Sequence, residues 1–330
     1  MCGIVAVTGY KKALPLLING LEKLEYRGYD SAGIAIINSE TKSIFCNKAE
    51  GKLNKLKNKL QNTEIPGTVG IGHTRWATHG KPEVKNAHPH IDSSGEVAVV
   101  QNGIIENYQE LKIKLQKEGI VFNSDTDTEV IPHLIQKELF ALSQLKLENN
   151  GSTLLVAVRN VISDLEGSYA LAVIWSGAPD ALVVARKQAP LIIGLGEGEF
   201  ICASDTPAIV NFTKIILPLE DEEIALLTPL GIEIYDSNNE RQYRNPISLQ
   251  IAEQVSDKKN FKHYMLKEIY DQPDIAKYWL EKYLIKDLNT DQFQINYSFE
   301  TEFFNSIERI EIVAVSYTHI RAHETESNLV

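Results

Sequence analysis

The chain has 330 residues, of which 43% are hydrophobic and 23% charged, as is ordinary for a globular protein. Its formal net charge of -11 argues against a nucleic-acid partner or an anionic membrane surface. No stretch approaches the roughly 20 apolar residues that cross a bilayer, and no signal peptide is visible. Three scattered cysteines, Cys2, Cys46 and Cys202, do not suit a disulfide scaffold, so we expect a cytoplasmic protein.

Short apolar strands and amphipathic helices fill the first 240 residues. Leu14, Leu17, Ile18, Leu21 and Leu24 have helical spacing and predict one buried helix face, and Leu53, Leu56 and Leu60 predict a second helix. Further helices are predicted over residues 107–118, 128–143 and 152–165. Strands are predicted near residues 3–7, 33–37, 43–46, 68–72, 96–101, 169–175, 181–185, 200–203, 223–227 and 232–235. Runs of strands separated by runs of helices favour an α+β layered domain.

The composition changes after about residue 236. Residues 236–262 are polar and predict a linker, and residues 263–283 predict a helix broken at Gln272-Pro273. Segment 284–308 has no regular pattern, and residues 309–315 alternate like a strand. Residues 194–198 (GLGEG) precede a strand rather than a helix, so we interpret them as a turn and not as a phosphate loop.

Cys2 is the most informative residue because of its position. Removal of Met1 would place a thiol and a free α-amino group on one residue. The amine, with a reference pKa of about 7.7–8.0, can accept the proton of a thiol whose reference pKa is about 8.5. One residue would then supply both nucleophile and base. By itself, Cys2 is equally compatible with a residue that merely begins a buried strand.

Six motifs occur in an order that points to one family. They are residues 2–5 (CGIV), 26–33 (YRGYDSAG), 72–80 (GHTRWATHG), 86–90 (NAHPH), 102–107 (NGIIEN) and 124–129 (SDTDTE). Together they cover most of the first 130 residues, and weaker similarity continues to about residue 236. This region resembles the glutaminase domain of the glucosamine-6-phosphate synthase family, in which ammonia from L-glutamine is used to convert fructose-6-phosphate to glucosamine-6-phosphate.

The resemblance implies a fold and a site. The fold would be an N-terminal nucleophile (Ntn) hydrolase sandwich with four layers, αββα. Cys2 would attack the amide of glutamine, while the Asn102 side chain and the Gly103 backbone N–H form the oxyanion hole. Arg75 would bind the α-carboxylate of glutamine and Asp127 its α-ammonium. Trp76, Thr78 and His79 would line the same loop, with Trp76 also gating ammonia passage.

The residue types in these motifs also suit the chemistry of amide hydrolysis. An oxyanion needs donors fixed in advance, and we place Asn102 at the end of a strand with Gly103 allowing a sharp turn. Arg75 offers a planar fork suited to a carboxylate. Four histidines, His73, His79, His88 and His90, lie within 18 residues, but no cysteine or spaced carboxylate completes a metal shell. We expect neither a metal nor a cofactor.

The resemblance also predicts three regions. Residues 1–240 would be the glutaminase domain, residues 241–314 a linker and the start of a sugar-isomerase (SIS) domain, and residues 315–330 a non-native tail. The family's phosphate-binding turn does not follow Ala314, so fructose-6-phosphate would bind only the full-length protein. Homo-oligomers would form through the missing half. The alternatives are the glutaminase half of an amidophosphoribosyltransferase and a non-catalytic domain that retains the fold.

Overall fold

The computed structural model describes residues 2–77, 80–249, 260–262, 264–286 and 293–295. The chain divides into two compact units, Met1–Asp257 and Lys258–Val330, which are described separately. Among the described residues, no helix is both long and apolar enough to span a membrane.

The first unit consists of fifteen strands and six α-helices among its described residues. The strands are β1 (Gly3–Gly9), β2 (Ser31–Ile37), β3 (Ile44–Glu50), β4 (Gly70–Arg75), β5 (His90–Ile91), β6 (Val97–Ile105), β7 (Gly167–Trp175), β8 (Leu182–Lys187), β9 (Ile192–Leu195), β10 (Glu199–Ala203), β11 (Ile215–Pro218), β12 (Ile224–Thr228), β13 (Gly231–Tyr235), β14 (Arg241–Gln242) and β15 (Ile247–Ser248). The helices are α1 (Ala13–Leu24), α2 (Leu53–Leu60), α3 (Tyr108–Lys117), α4 (Val130–Gln144), α5 (Gly151–Ser163) and α6 (Pro207–Val210).

The strands form two antiparallel sheets. The first sheet has the order β15-β11-β9-β10-β1-β4-β2-β3, and the second has the order β14-β13-β12-β8-β7-β6-β5. Strand β1 lies between β10 and β4, with Val5 opposite Ala203 on one side and Gly72 on the other. Strand β6 pairs along its whole length with β7.

The alternation of side chains along the strands builds three apolar layers. In β1, Ile4 and Ala6 face the core between the two sheets, whereas Val5 and Val7 face the core under α1 and α2. Helices α4 and α5 pack on the outer face of the second sheet through Ile131, Leu139 and Val158. The order is therefore helices, sheet, sheet, helices, which confirms the predicted α+β four-layer αββα sandwich.

The predicted helical face of α1 is correct. Leu17, Leu21 and Leu24 are fully buried, while Leu14 and Ile18 pack partly buried at the same core. The turn predicted over residues 194–198 is confirmed for residues 196–198, where β9 and β10 form a hairpin with a Gly196 N–H to Glu199 O hydrogen bond of 2.8 Å, whereas residues 194 and 195 end β9.

Several elements differ from the sequence prediction. Strands β9 and β11 were not predicted, because each is a four-residue run containing a glycine or a proline. The polar stretch predicted as a linker contributes two edge strands, since β14 pairs with β13 and β15 pairs with β11. The Arg244 guanidinium adds a 3.0 Å hydrogen bond to Pro218 O and an ion pair with Glu223.

The second unit contains α7 (Tyr264–Tyr283) and a short hairpin of β16 (Leu284–Lys286) and β17 (Phe293–Ile295). The predicted break at Gln272-Pro273 is wrong, because α7 runs continuously through Pro273. A proline removes one helical hydrogen bond, but the helix can continue on both sides of it. The hairpin lies in a segment predicted to be irregular. The predicted strand 309–315 and the tail 315–330 lie outside the described residues.

Candidate active site

The Cys2 thiol lies where the N-terminal end of β1 meets the residue after β4. Its Sγ is 3.3 Å from the Trp76 backbone nitrogen, which donates to it, and 3.5 Å from Trp76 O. The thiol is partly exposed. Burial raises its pKa, and the Trp76 N–H, the chain's N-terminal charge, Arg75 and Arg27 act in the opposite direction. The thiol form therefore predominates near neutral pH, and a nearby base is needed to produce the thiolate.

The backbone of Cys2 is held by Arg27. The Arg27 Nε donates to Cys2 O at 3.0 Å, and its Nη1 pairs with Asp205 Oδ2 at 2.6 Å. The Tyr26 hydroxyl donates to the same Asp205 oxygen at 2.6 Å. Because the guanidinium contacts both Cys2 O and Asp205, the position of Cys2, just before β1, is fixed. Sequence reasoning did not assign a role to Arg27.

Asn102 and Gly103 lie inside β6 rather than at its end, so the predicted strand end is wrong. Asn102 pairs with Ala170 and Gly103 with Tyr169, and the strand continues to Ile105. Asn102 Nδ2 donates to Cys2 O at 3.2 Å, which brings the amide beside the nucleophilic residue.

Gly103 has a backbone conformation that other residues avoid. Its φ is +114°, and a Cβ there would lie 2.0 Å from Ser168 O. Any side chain would therefore clash with the neighbouring strand as well as strain the backbone. The glycine was identified from its motif, and its structural reason is this close approach of β7.

Three histidines, called the histidine stack below, pack against one another beside Asn102. His73 on β4 is buried and places its Nε2 3.0 Å from Asn102 Oδ1 and 3.1 Å from Gln101 O. The His88 ring stacks on it with centroids 4.3 Å apart, and His90 packs edge-on against His88 at 4.8 Å. The sequence showed these histidines only as candidate metal ligands, which we set aside, and gave them no other role.

His88 and His90 each contact a threonine hydroxyl group of one loop. His88 Nε2 lies 3.3 Å from Thr128 Oγ1, which donates to Gln101 Oε1 at 2.7 Å. His90 Nε2 lies 3.0 Å from Thr126 Oγ1. The loop carrying these hydroxyls also carries Asp127, so the histidine stack and the candidate ammonium ligand form one buried assembly.

Arg75 and Asp127 provide one cation and one anion at the site. Both are almost fully buried, at 4% and 5% exposure. Arg75 donates to Lys81 O at 3.4 Å and Gly80 O at 3.5 Å, and Asp127 Oδ2 accepts from Ile105 N at 2.8 Å. Burial lowers the pKa of Arg75, while Cys2, Asp30 and Asp127 act to raise it. Such opposite charges match the two ends of a free amino acid.

Trp76 caps this region from the solvent side. Its side chain is 40% exposed and packs edge-on against Tyr29, with ring centroids 5.4 Å apart. The next residue, Ala77, donates its N–H to Asp30 Oδ2 at 2.9 Å. Gly28 lies against this loop so closely that a Cβ would be 2.6 Å from the Arg75 carbonyl carbon. The loop is thus packed against Gly28 and Asp30, while the Trp76 indole is exposed.

The structure brings together six of the eight predicted site residues. Those six are Cys2, Arg75, Trp76, Asn102, Gly103 and Asp127. Thr78 and His79 lie outside the described residues, so their predicted places in the same loop stay predictions.

Fold and site together define a glutamine amidotransferase domain of the Ntn type. A family model described as "Glutamine amidotransferase domain" matches residues 73–211. Among solved structures, the glutamine phosphoribosylpyrophosphate amidotransferase of B. subtilis superposes with a TM-score of 0.58 at 27% identity, covering 72% of this chain and 49% of that one. A second structure, described as the allosteric regulatory enzyme of purine biosynthesis, gives a TM-score of 0.60 at 26% identity.

Sequence relatives are more similar than these structures. The glutamine–fructose-6-phosphate aminotransferase (isomerizing) of Thermosynechococcus vestitus is 54% identical over 87% of this chain and 45% of its own length. The enzyme of the same name from Nostoc is 51% identical over 95% of this chain and 49% of its own length. Residues 73–211 therefore match a glutamine amidotransferase domain, and the chain is similar in this half to the glutamine–fructose-6-phosphate aminotransferases. It spans about half the length of the relatives it matches.

Proposed function

We propose that this chain hydrolyses the side-chain amide of L-glutamine to glutamate and ammonia, with Cys2 as the nucleophile. The observation that carries the proposal is the convergence of three groups on Cys2. The Trp76 N–H contacts its sulfur, and the Arg27 guanidinium and the Asn102 amide both bind its carbonyl oxygen.

The first step is formation and attack of the thiolate. After Met1 is removed, the Cys2 α-amine takes the thiol proton, directly or through one water. The sulfur attacks the amide carbon of glutamine, and the carbonyl oxygen becomes an oxyanion. The Asn102 Nδ2 and the Gly103 N–H stabilise this charge, as fixed donors in a site partly closed to water do.

The second step releases ammonia and the third restores the enzyme. The α-ammonium returns its proton to the leaving nitrogen as the C–N bond breaks, which leaves a thioester on Cys2 and free ammonia. Water, deprotonated by the α-amine, then attacks the thioester and releases glutamate. No oxidant or metal takes part in this balance.

Substrate selection follows from the buried charges. Arg75 binds the α-carboxylate of glutamine with its planar fork, and Asp127 binds the α-ammonium. Ile105 N–H fixes one Asp127 oxygen and so orients the carboxylate. Trp76 covers the bound glutamine and gates the ammonia, and Thr78 and His79 line the same loop.

The longer protein would use the ammonia. Within the predicted region 241–314, the residues after β15 are proposed as a linker and the start of an isomerase half that binds fructose-6-phosphate, makes glucosamine-6-phosphate and forms the homo-oligomer. The names of the relatives support an isomerase half in the longer protein. Residues 315–330 are proposed as a non-native tail, and we propose a cytoplasmic location from the composition. The chain by itself would release ammonia without forming an amino sugar.

Two alternative functions are less well supported. The purine-pathway amidophosphoribosyltransferases share the fold at 26–27% identity, against 54% for the Thermosynechococcus enzyme, which favours the synthase. A non-catalytic domain would need no intact site, so the contacts around Cys2 and the burial of Arg75 and Asp127 support the catalytic proposal.

Intact mass and ammonia release test the proposal together. Purified protein is weighed before and after treatment with a glutamine-like electrophile, and glutamine turnover is measured in the same preparation. We expect loss of Met1, one adduct on Cys2, and stoichiometric glutamate and ammonia. A chain that has lost Met1 and yet neither takes up the electrophile nor releases ammonia would support the non-catalytic alternative.

A further inference from the structure

The His73 imidazole is placed between two groups that restrict its chemistry. Its Nε2 faces Gln101 O at 3.1 Å and Asn102 Oδ1 at 3.0 Å, while its Nδ1 has no hydrogen-bond partner in the described part of the chain. A backbone carbonyl oxygen can only accept a hydrogen bond. Nε2 must therefore carry a proton, and it donates toward both oxygens.

The ring is held in this state by its surroundings. Burial lowers the pKa of the His73 imidazole to about 3, so the ring is neutral near neutral pH. A neutral imidazole has one proton, and that proton is on Nε2. The His88 ring stacks on His73 and itself accepts the Gln101 N–H at its Nδ1, at 3.3 Å, which leaves the His88 proton on Nε2 as well. Rotation of His73 would break this stack.

The tautomer decides which way the Asn102 amide faces. The oxygen and nitrogen of a side-chain amide have nearly the same shape, so the hydrogen-bond network determines their orientation. With a donor at His73 Nε2, the amide oxygen must face His73, and the NH₂ group then faces Cys2 O at 3.2 Å. A flipped amide would present an acceptor to the oxyanion and would repel it.

We propose that His73 is a positioning residue for glutamine hydrolysis, because its Nε2–H selects the one Asn102 orientation that donates to the oxyanion. The inference rests on the proposed function and deepens it. His73 reaches from β4 of the first sheet to β6 of the second, so it also sets the position of the oxyanion donor relative to the nucleophile.

A double-mutant cycle with Asn102→Ala tests this role. Random amide orientation costs about twofold and complete loss of one oxyanion donor about 10²–10³-fold, so we expect His73→Leu to lower kcat about tenfold with little change in KM. In the Asn102→Ala background, His73→Leu should have no further effect on kcat, since there is no amide left to orient. An equal loss in both backgrounds would overturn the proposal and indicate general disruption.

Two controls separate positioning from structural damage. Alkylation of Cys2 by iodoacetamide needs a thiolate but no oxyanion hole, so its rate should be the same in wild type and His73→Leu. His133→Leu makes the same change at a buried histidine on α4 that packs against Phe122, and it should leave kcat unchanged. His73→Gln, which restores a donor, should recover part of the lost kcat. A slower alkylation rate in His73→Leu, matching its loss of kcat, would contradict the inference.

The His73 tautomer can be measured by NMR, without an activity assay. In histidine-¹⁵N-labelled protein, the signal lost in His73→Gln assigns His73, and its nitrogen shifts should report a neutral Nε2–H ring between about pH 6 and 8. A charged ring or a proton on Nδ1 would overturn the proposal. If the wild type shows the Nε2–H ring but hydrolyses no glutamine, the proposed function fails while the local geometry stands.

Discussion

On the first sheet, Cys2 precedes β1 and Arg75 ends β4, and a backbone N–H and the Arg27 guanidinium contact the thiol and the carbonyl of Cys2. Asn102 lies inside β6 of the second sheet, and Asp127 lies in the loop before α4. Side chains hold these two residues or their neighbours through the clustered histidines and the threonine hydroxyls. The first sheet therefore carries the proposed nucleophile and a proposed substrate ligand, whereas the second carries the proposed oxyanion side chain. Substitution of Arg75 on the first sheet and of Asn102 on the second should change different kinetic constants.

The largest expected effect is at the nucleophile. Cys2→Ala should abolish glutamine hydrolysis, because no other described thiol lies at the site, and it should leave folding intact since the side chain is small and partly exposed. The measurement is ammonia release, with thermal unfolding as the control. An N-terminal tag should be nearly as damaging, since the α-amine becomes an amide. Full activity of a tagged chain would exclude the N-terminal mechanism.

The next effect is on the second sheet. Asn102→Ala should lower kcat by about 10²–10³-fold with KM nearly unchanged, as removal of one oxyanion donor does. Steady-state kinetics with glutamine measure both constants. A rise in KM with kcat intact would move Asn102 from transition-state stabilisation to substrate binding and would remove the division between the sheets.

The histidine stack should make the fold sensitive to mild acid. Burial lowers the pKa of His73 to about 3 and holds those of His88 and His90 well below the usual range. Below about pH 6.5 the unfolded chain binds protons that the folded chain does not, so stability is full above that pH and falls as pH falls.

Urea unfolding at about pH 7 and pH 5 measures this loss, which should be about 2 kcal/mol for His73, or roughly 30-fold in the folding equilibrium, with His88 and His90 acting in the same direction. Most carboxylates titrate below this window. His73→Gln should therefore lose about 2 kcal/mol less stability than wild type over the same pH interval. Equal losses in the two proteins would show that His73 in the folded state also becomes protonated between pH 7 and pH 5.

A smaller effect is expected on the first sheet at Arg75. Arg75→Lys should raise KM for glutamine about tenfold or more, because a point charge replaces a planar fork and charge-assisted hydrogen bonds are worth about 1.5–3 kcal/mol. The kcat should change much less, since the proposed contact of Arg75 is to the α-carboxylate and not to the reacting carbon. A selective fall in kcat would show that Arg75 acts on the reaction itself.

The smallest effect on activity should follow from shortening the chain. A chain ending at residue 257 keeps β14 and β15, so its kcat should equal that of the full chain within about twofold. A chain ending at residue 240 loses one edge strand from each sheet together with the Arg244 contacts. It should be less stable by about 1–3 kcal/mol, as thermal unfolding would measure. Equal stability of the two chains would restore the predicted boundary at 240.

The sequence predicted elements with strong periodicity better than it predicted short ones. The faces of α1 and α2 follow directly from their leucine spacing, whereas β9 and β11 are four-residue runs that become strands only by pairing with each other and with their second neighbours, β10 and β15. Asn102 was identified from its motif, but its place inside β6 depends on pairing with β7. The role of His73 needs the distance to Asn102, which no local pattern contains.

Because β1 is a central strand, the first sheet cannot close until late in the synthesis of the chain. One neighbour of β1, β10, is formed by residues about 200 positions later in the chain. At about 5–20 residues per second, that strand leaves the ribosome roughly 10–40 s after β1. Until then β1 cannot be enclosed between β4 and β10, so the proposed removal of Met1 has this interval before the first sheet closes.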